Sequence, residues 1–123
     1  MGKLFLAGIG GFIGSSLRYA VSGYVQLWSR STDFPYGTLA VNLIGCLAIG
    51  FLSQLAESRG IFTAETRTLI FIGVLGGFTT FSSYAFESFA LLRDGQWIAA
   101  AVNIVGQVLA GLVGGWAGYV AAN

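Results

Sequence analysis

The residues best suited to chemistry in this chain lie near the middle of a long apolar run. The run from Thr68 to Phe86 carries no charge, yet paired glycines at its centre precede a group of hydroxyl side chains. Glycine and β-branched residues weaken a helix, and a backbone break in lipid survives only inside protein or beside a wet cavity. We therefore expect a broken helix that lines a polar path. The hydroxyls belong to Thr79, Thr80, Ser82 and Ser83.

Aromatic rings alternate with these hydroxyls. Phe81 and Tyr84 are one helical turn apart and so share a face of the helix. The rim of an aromatic ring is positive and its face negative, so an anion is attracted to rings presented edge-on. Phe78 and Phe86 are better explained by core packing or by contact with lipid. Phe81 is the stronger candidate for a ring on the path.

Composition places the chain in a membrane. It has 123 residues, of which 55% are hydrophobic and 9% charged, whereas an ordinary soluble domain is about 25% charged. A net charge of +1 provides no basic field to hold nucleic acid. With no histidine and one cysteine, zinc, haem and iron–sulfur clusters have no plausible ligand set. Cys46 is read as a small buried hydrophobe.

The apolar runs predict an all-α membrane protein with four spans in a single transmembrane domain over residues 1–123. The first span contains one charge, Arg18, which either snorkels to the interface or acts inside the membrane. Gly10 and Gly14 form a pair that permits close helix approach. The third span is the broken one, divided near Gly76 to Thr80. The spans cover about residues 4–27, 36–55, 67–92 and 96–121.

Polar side chains in the other spans offer a few more candidates. In the second span Thr38 and Asn42 are four residues apart and share a face. Asn42 is either an interhelical hydrogen-bonding residue, the reading that residue type favours, or an amide donor to an anion. In the fourth span Asn103 and Gln107 are related in the same way, beside a glycine seam that suits packing. Glu87, near the end of the third span, is read as capping or pairing.

The loop charges do not favour one orientation. With both termini on one side, that side carries three loop cations and the other side carries two. The positive-inside rule needs a larger difference to fix topology, so we expect insertion in both directions. Two oppositely oriented copies would form the two-chain version of an inverted repeat, and carbonyls of the two broken helices would meet near the midplane around a cation.

Three motifs in order resemble the Fluc (CrcB) family of fluoride channels, and the resemblance covers the whole chain. The first runs from Gly10-Gly11 through Gly14 to Arg18-Tyr19. The second begins at Gly37-Thr38-Leu39 and continues to Asn42 and Gly45. The third is Gly76-Gly77-Phe78-Thr79-Thr80-Phe81-Ser82, with Glu87 beyond it.

The resemblance implies an antiparallel, dual-topology homodimer that lets fluoride leave the cell passively across the plasma or inner membrane. It implies a structural Na⁺ at the dimer centre, held by the backbone carbonyls of Gly76 and Thr79. Asn42 would be a fluoride-path donor, Phe81 the first of two path-lining rings, and Arg18 a residue near the dimer interface. The expected partners are fluoride, a second copy of the chain and the bilayer.

This chain departs from the family pattern along the expected path. Tyr84 stands where the second phenylalanine is usual, and Ala85 where serine is common. The hydroxyl-bearing positions of the fourth helix in some members are Asn103, Gln107 and Gly111 here. The polar track beyond the rings is therefore left open, with Asn103, Gln107 and Glu87 as its candidates.

The residue types agree with fluoride conduction. Fluoride is small and strongly hydrated, so a selective pore must replace water with donors such as Asn42, Ser82 and Ser83. No P-loop, phosphorylation motif or array of acids indicates a pump, and we expect no enzyme. The alternative is a small four-helix multidrug exporter, which needs a carboxylate in the membrane. Only Glu87 would serve that purpose.

Overall fold

The computed structural model describes residues 1–123 and is entirely helical, with four helices long and apolar enough to cross a membrane. Helix α1 is Gly2–Ser29 and α2 is Tyr36–Arg59; the third span comprises α3 (Ala64–Arg67), a π-helix (Thr68–Leu75), α4 (Gly76–Phe78) and α5 (Phe81–Arg93); α6 is Trp97–Ala122. The four predicted spans are confirmed. Each of the first three helical spans extends a few residues beyond the predicted bounds.

The helix ends follow the local sequence. Thr63 caps the third span by accepting a hydrogen bond from the Thr66 N–H at 3.1 Å. Gly60 ends α2 with a φ of 59°, and Gly95 turns the chain into α6 with a φ of 77°, which glycine tolerates without strain. Pro35 lies immediately before α2, and its carbonyl accepts from the Leu39 N–H at 3.2 Å. The connections between spans are therefore short turns.

The predicted break in the third span lies at Thr79 and Thr80. Both residues have extended backbone, with ψ angles of 159° and 122° respectively, between the end of α4 and the start of α5. The Thr80 hydroxyl caps α5 by accepting from the Ser83 N–H at 3.2 Å. The helix resumes at once, so the third span bends only slightly. Each of the two halves then packs against a different neighbour.

Glycines set how closely the helices approach. A Cβ on Gly10 would lie 2.7 Å from the Gly73 Cα, and one on Gly14 would lie 2.8 Å from the Phe78 backbone nitrogen. The predicted pair of small residues thus packs α1 against the π-helix and α4. The predicted seam of α6 packs on α2, where a Cβ on Gly118 would lie 2.7 Å from the Phe51 nitrogen.

Few residues of this chain are buried, and much of its surface is apolar. Only 18 of 123 residues are buried, and Val41 and Asn103 are the largest fully buried side chains. Many large hydrophobic residues point outward along all four spans, as expected of helices that face lipid or a partner. A polar amide at the centre of such a small interior must be hydrogen-bonded.

We predict that Gly10→Ala will destabilise the protein. The added methyl would meet backbone atoms of the π-helix, including the Val74 nitrogen at 2.9 Å, and overpacking of this kind costs about 1 to 3 kcal/mol. Thermal unfolding in detergent micelles measures the effect. Gly8→Ala on the same helix is the control, since its methyl would meet nothing within 4 Å; an equal response of the two variants would contradict the packing argument.

Candidate ion pathway

A groove of about 510 Å³ runs along the broken third span, between α2 and α6. Both helix-break residues and half of the predicted site residues line it. Phe81 lies at the edge of the groove and is 77% exposed. The rest of the lining is largely apolar, as in other small-ligand sites. The predicted residues that line the groove are Asn42, Gly76, Thr79, Phe81, Tyr84 and Gln107.

Asn42 joins α2 to the break through two hydrogen bonds with one residue. The Thr80 N–H donates to Asn42 Oδ1 at 2.8 Å, and Asn42 Nδ2 donates to the Thr80 carbonyl at 3.0 Å. The side-chain amide thereby pairs with backbone groups that left the helical ladder. Unpaired, each such group would cost several kcal/mol in lipid. Asn42 makes the interhelical bonds expected of it; its role as an anion donor stays a prediction.

A chain of side chains continues from Asn42 through α6 and back to α5. Asn42 Nδ2 donates to Gln107 Oε1 at 2.8 Å, and Gln107 Nε2 donates to Asn103 Oδ1 at 3.0 Å. Asn103 Nδ2 donates to Ser88 Oγ at 2.8 Å, and that hydroxyl donates to the Tyr84 carbonyl at 2.8 Å. These hydrogen bonds, which we call the amide relay, explain why α6 carries two amides in an apolar span.

Tyr84 is held by its hydroxyl. The Tyr84 OH donates to the Ile104 carbonyl at 2.6 Å, which ties α5 to α6. Its ring lies 5.7 Å from the ring of Phe81, with an angle of 56° between the planes, within the range of favourable aromatic pairs. The departure from phenylalanine at this position therefore adds a hydrogen bond and leaves the pairing of the two rings in place.

The break also changes the surroundings of the Gly76 and Thr79 carbonyls. In a continuous helix the N–H groups of Thr80 and Ser83 would donate to them. Here the Thr80 N–H donates to Asn42 and the Ser83 N–H to the Thr80 hydroxyl. Both carbonyls thus lose their usual helical donors, and both residues line the groove. Backbone oxygens in this condition suit a hard monovalent cation. No cluster of acidic, histidine or cysteine side chains offers an alternative metal site.

A second, more polar cavity of about 1080 Å³ lies between α1, the loop before α2, and α5. Arg18 lines it and donates from Nε to the Gly77 carbonyl at 3.0 Å, so this cation bonds to the end of α4. Glu87 faces the same cavity, and its Oε1 has no hydrogen-bond partner. The predicted residues in this cavity are Arg18, Thr38, Ser83 and Glu87, and Thr80 lines both cavities.

Two predicted residues lie outside both cavities, and two contributors were not predicted. Ser82 is exposed and Asn103 is buried, and neither lines either cavity. Ser88 completes the amide relay; its place one turn after Tyr84 was the available signal. Gln26 donates to the Ser31 and Phe34 carbonyls at 2.8 and 2.9 Å. It shapes the loop beside the second cavity, and nothing in its spacing indicated this.

Comparison with known proteins agrees with this arrangement. Residues 5–119 match the family model described as CrcB-like protein, Camphor Resistance (CrcB). The chain belongs to the CrcB family. It is 43% identical over 122 residues to the protein named fluoride-specific ion channel FluC 1 of Methanosarcina acetivorans, covering 99% of this chain and 92% of that one.

Other CrcB relatives carry the same kind of name. The fluoride-specific ion channel FluC of Methylobacillus flagellatus is 44% identical over 119 residues, which are 97% of this chain and 93% of the relative. That of Chlorobium phaeobacteroides strain BS1 is 46% identical over 110 residues, or 89% and 84%. The family resemblance inferred from the motifs is confirmed. Membership and four apolar spans make this chain a multi-pass membrane protein, and the family is one of channels rather than enzymes.

We predict that Tyr84→Phe lowers the stability of the protein. The variant keeps the ring but loses the hydrogen bond to the Ile104 carbonyl, which is worth about 0.5 to 1.5 kcal/mol. Unfolding of the purified protein in detergent measures the loss. Tyr19→Phe is the matched control, because Tyr19 is 86% exposed; a loss of equal size in both variants would argue against a specific hydroxyl bond at Tyr84.

Proposed function

We propose that this chain forms a passive, fluoride-selective channel that lets fluoride leave the cytoplasm across the plasma or inner membrane. The observation that carries the proposal is the meeting of Asn42, Phe81 and Tyr84 on one groove beside the helix break. This groove combines amide donors with ring edges, the groups that can replace the water around a small anion. The names of the relatives support fluoride as that anion.

The fluoride path in this proposal follows the groove and continues into the second cavity. Asn42, Thr38 and Ser83 supply hydrogen-bond donors within the two cavities, and Phe81 and Tyr84 present their positive rims. Ser82 is a further donor, exposed outside both cavities. The polar track continues from Gln107 in the groove to Glu87 in the second cavity. Asn103, which is buried outside both cavities, holds Gln107 by accepting a hydrogen bond from its Nε2. Thr80 supports continuity between the two parts, because it lines both cavities. Arg18 contributes positive charge near the dimer interface, which favours entry of an anion.

The working unit in this proposal is an antiparallel homodimer. In a single copy the apolar edge of the groove is open, and Phe81 is 77% exposed there. Exposed apolar surfaces of this kind mark interaction sites. The three-to-two distribution of loop cations supports insertion in both orientations. The two-fold axis would then lie in the membrane plane, as in inverted repeats.

A structural Na⁺ at the centre of this dimer is part of the proposal. Its ligands would be the carbonyls of Gly76 and Thr79 from both copies. The support is that both carbonyls have lost their usual helical donors and that both residues line the groove. A cation there would neutralise the carbonyl dipoles that the break leaves in an apolar setting.

The function is tested by anion efflux from liposomes that contain the purified protein. We expect fluoride to leave rapidly and chloride to be retained, as read with ion-selective electrodes. Phe81→Ile should cut fluoride efflux at least tenfold while the dimer stays intact, since it removes a ring edge from the path. Phe86→Ile is the control, because Phe86 is 64% exposed and lines neither cavity.

Absence of fluoride efflux from folded protein would reject the channel, and undiminished efflux from Phe81→Ile would remove that ring from the path. In the first case proton-coupled drug export through Glu87 becomes the function to test. Glu87 is suited to that role only in having an oxygen without a hydrogen-bond partner. Family membership favours the channel over this exporter.

We also predict that replacing Na⁺ weakens the dimer. At constant ionic strength, substitution of Na⁺ by the bulky cation N-methyl-D-glucamine should speed subunit exchange, because no small cation then bridges the two breaks. Fluorescence energy transfer between differently labelled copies measures the exchange rate. A rate that does not respond to the cation would reject the sodium site and leave the fluoride pathway standing.

A further inference from the structure

The orientation of the Asn42 amide is fixed by a single backbone unit. The Thr80 N–H can only donate and the Thr80 carbonyl can only accept. Asn42 Oδ1 lies 2.8 Å from the Thr80 nitrogen, and Asn42 Nδ2 lies 3.0 Å from the Thr80 carbonyl oxygen. A flipped amide would place the Asn42 NH2 group against the Thr80 N–H and the Asn42 oxygen against the Thr80 carbonyl, so neither hydrogen bond could form. Asn42 therefore stays in place without help from α6. One N–H of its Nδ2 remains to be used.

Gln107 takes that remaining N–H. Its Oε1 lies 2.8 Å from Asn42 Nδ2, and both residues line the groove. Gln107 is only 8% exposed and is itself held, because its Nε2 donates to Asn103 Oδ1 at 3.0 Å and Asn103 donates in turn to Ser88. Every amide in the relay points the same way, which strengthens each bond in the chain.

From this geometry we propose that Gln107 Oε1 is a resident acceptor, which fluoride must displace in order to bind the Asn42 N–H. The inference rests on the proposed function, and it assigns Gln107 a role in setting how tightly the path holds its anion. Gln107 acts here as a competitor for the donor, since Thr80 alone already positions Asn42. The amide relay keeps the competitor in position.

Such a competitor would serve conduction. A pore must bind its ion well enough to admit it and weakly enough to release it. An Asn42 N–H with no other partner would hold fluoride tightly, because a desolvated donor gains most from an anion. With Gln107 present, the departing fluoride is replaced at once by an amide oxygen, and the donor is never left unpaired.

The test compares Gln107→Leu with the wild-type protein in planar bilayers, over a range of fluoride concentrations. Removing one neutral competing bond, worth about 1 kcal/mol, should lower the half-saturating fluoride concentration about fivefold. The maximal fluoride current should fall as well, because release becomes slower. Damage to the fold would lower the maximal current without tightening binding, so the pair of values separates the two explanations.

The control is Gln54→Leu. Gln54 donates to Asn123 Oδ1 at 2.9 Å, so this variant breaks an amide pair that also joins α2 to the C-terminal end of α6, outside the groove. Its half-saturating concentration and maximal current should equal those of the wild type. A shift in Gln54→Leu as large as that in Gln107→Leu would overturn the inference, because loss of any α2–α6 amide pair would then be sufficient.

A second variant guards against poor folding. Gln107→Leu leaves the oxygen of Asn103, a residue only 1% exposed, without its hydrogen-bond donor. The double variant Asn103→Leu/Gln107→Leu removes both amides and so leaves no such unpaired oxygen. It should tighten fluoride binding to the same degree as Gln107→Leu alone. An unchanged or raised half-saturating concentration in either monodisperse variant would overturn the role of Gln107. If wild-type currents were fluoride-selective in that experiment, the proposed channel would stand.

Discussion

The structure depends on one constraint: backbone polar groups inside a membrane span must find partners within the protein. The third span breaks this rule locally at Thr79 and Thr80 and satisfies it through Asn42, whose amide pairs with both the N–H and the carbonyl of Thr80. Once that amide is committed, its remaining donor needs an acceptor. The amide relay through Gln107, Asn103 and Ser88 follows from this requirement.

Close helix packing makes this arrangement possible. Glycines let α1 lie directly against the first half of the third span, and other glycines let α6 lie against α2. Short side chains such as asparagine can then reach from one backbone to the next. A bulkier seam would separate α2 and α6 beyond the length of an amide pair, so the small residues and the polar residues of this protein depend on each other.

The same break accounts for both parts of the proposed site. It turns the N–H of Thr80 toward Asn42 and leaves the carbonyls of Gly76 and Thr79 without their helical donors. The proposed anion donor, Asn42, and the proposed cation ligands, Gly76 and Thr79, therefore line the same groove. Beyond that point Tyr84 and the amides of α6 form hydrogen bonds that tie α5 to α6.

The sequence by itself determined the four spans, the position of the break, the packing role of the glycines and the family. Each of these depends on local residue type or on periodicity, and a uniformly apolar environment makes any polar or glycine position stand out. Only the tertiary structure decided which polar side chains meet. Helical spacing put Asn103 and Gln107 on one face, but it did not reveal that Asn42 would reach Gln107 or that Ser88 would close the relay. Those partners are 65 and 15 residues apart in the chain, and the register of one helix against another is set by side-chain packing that no local pattern encodes.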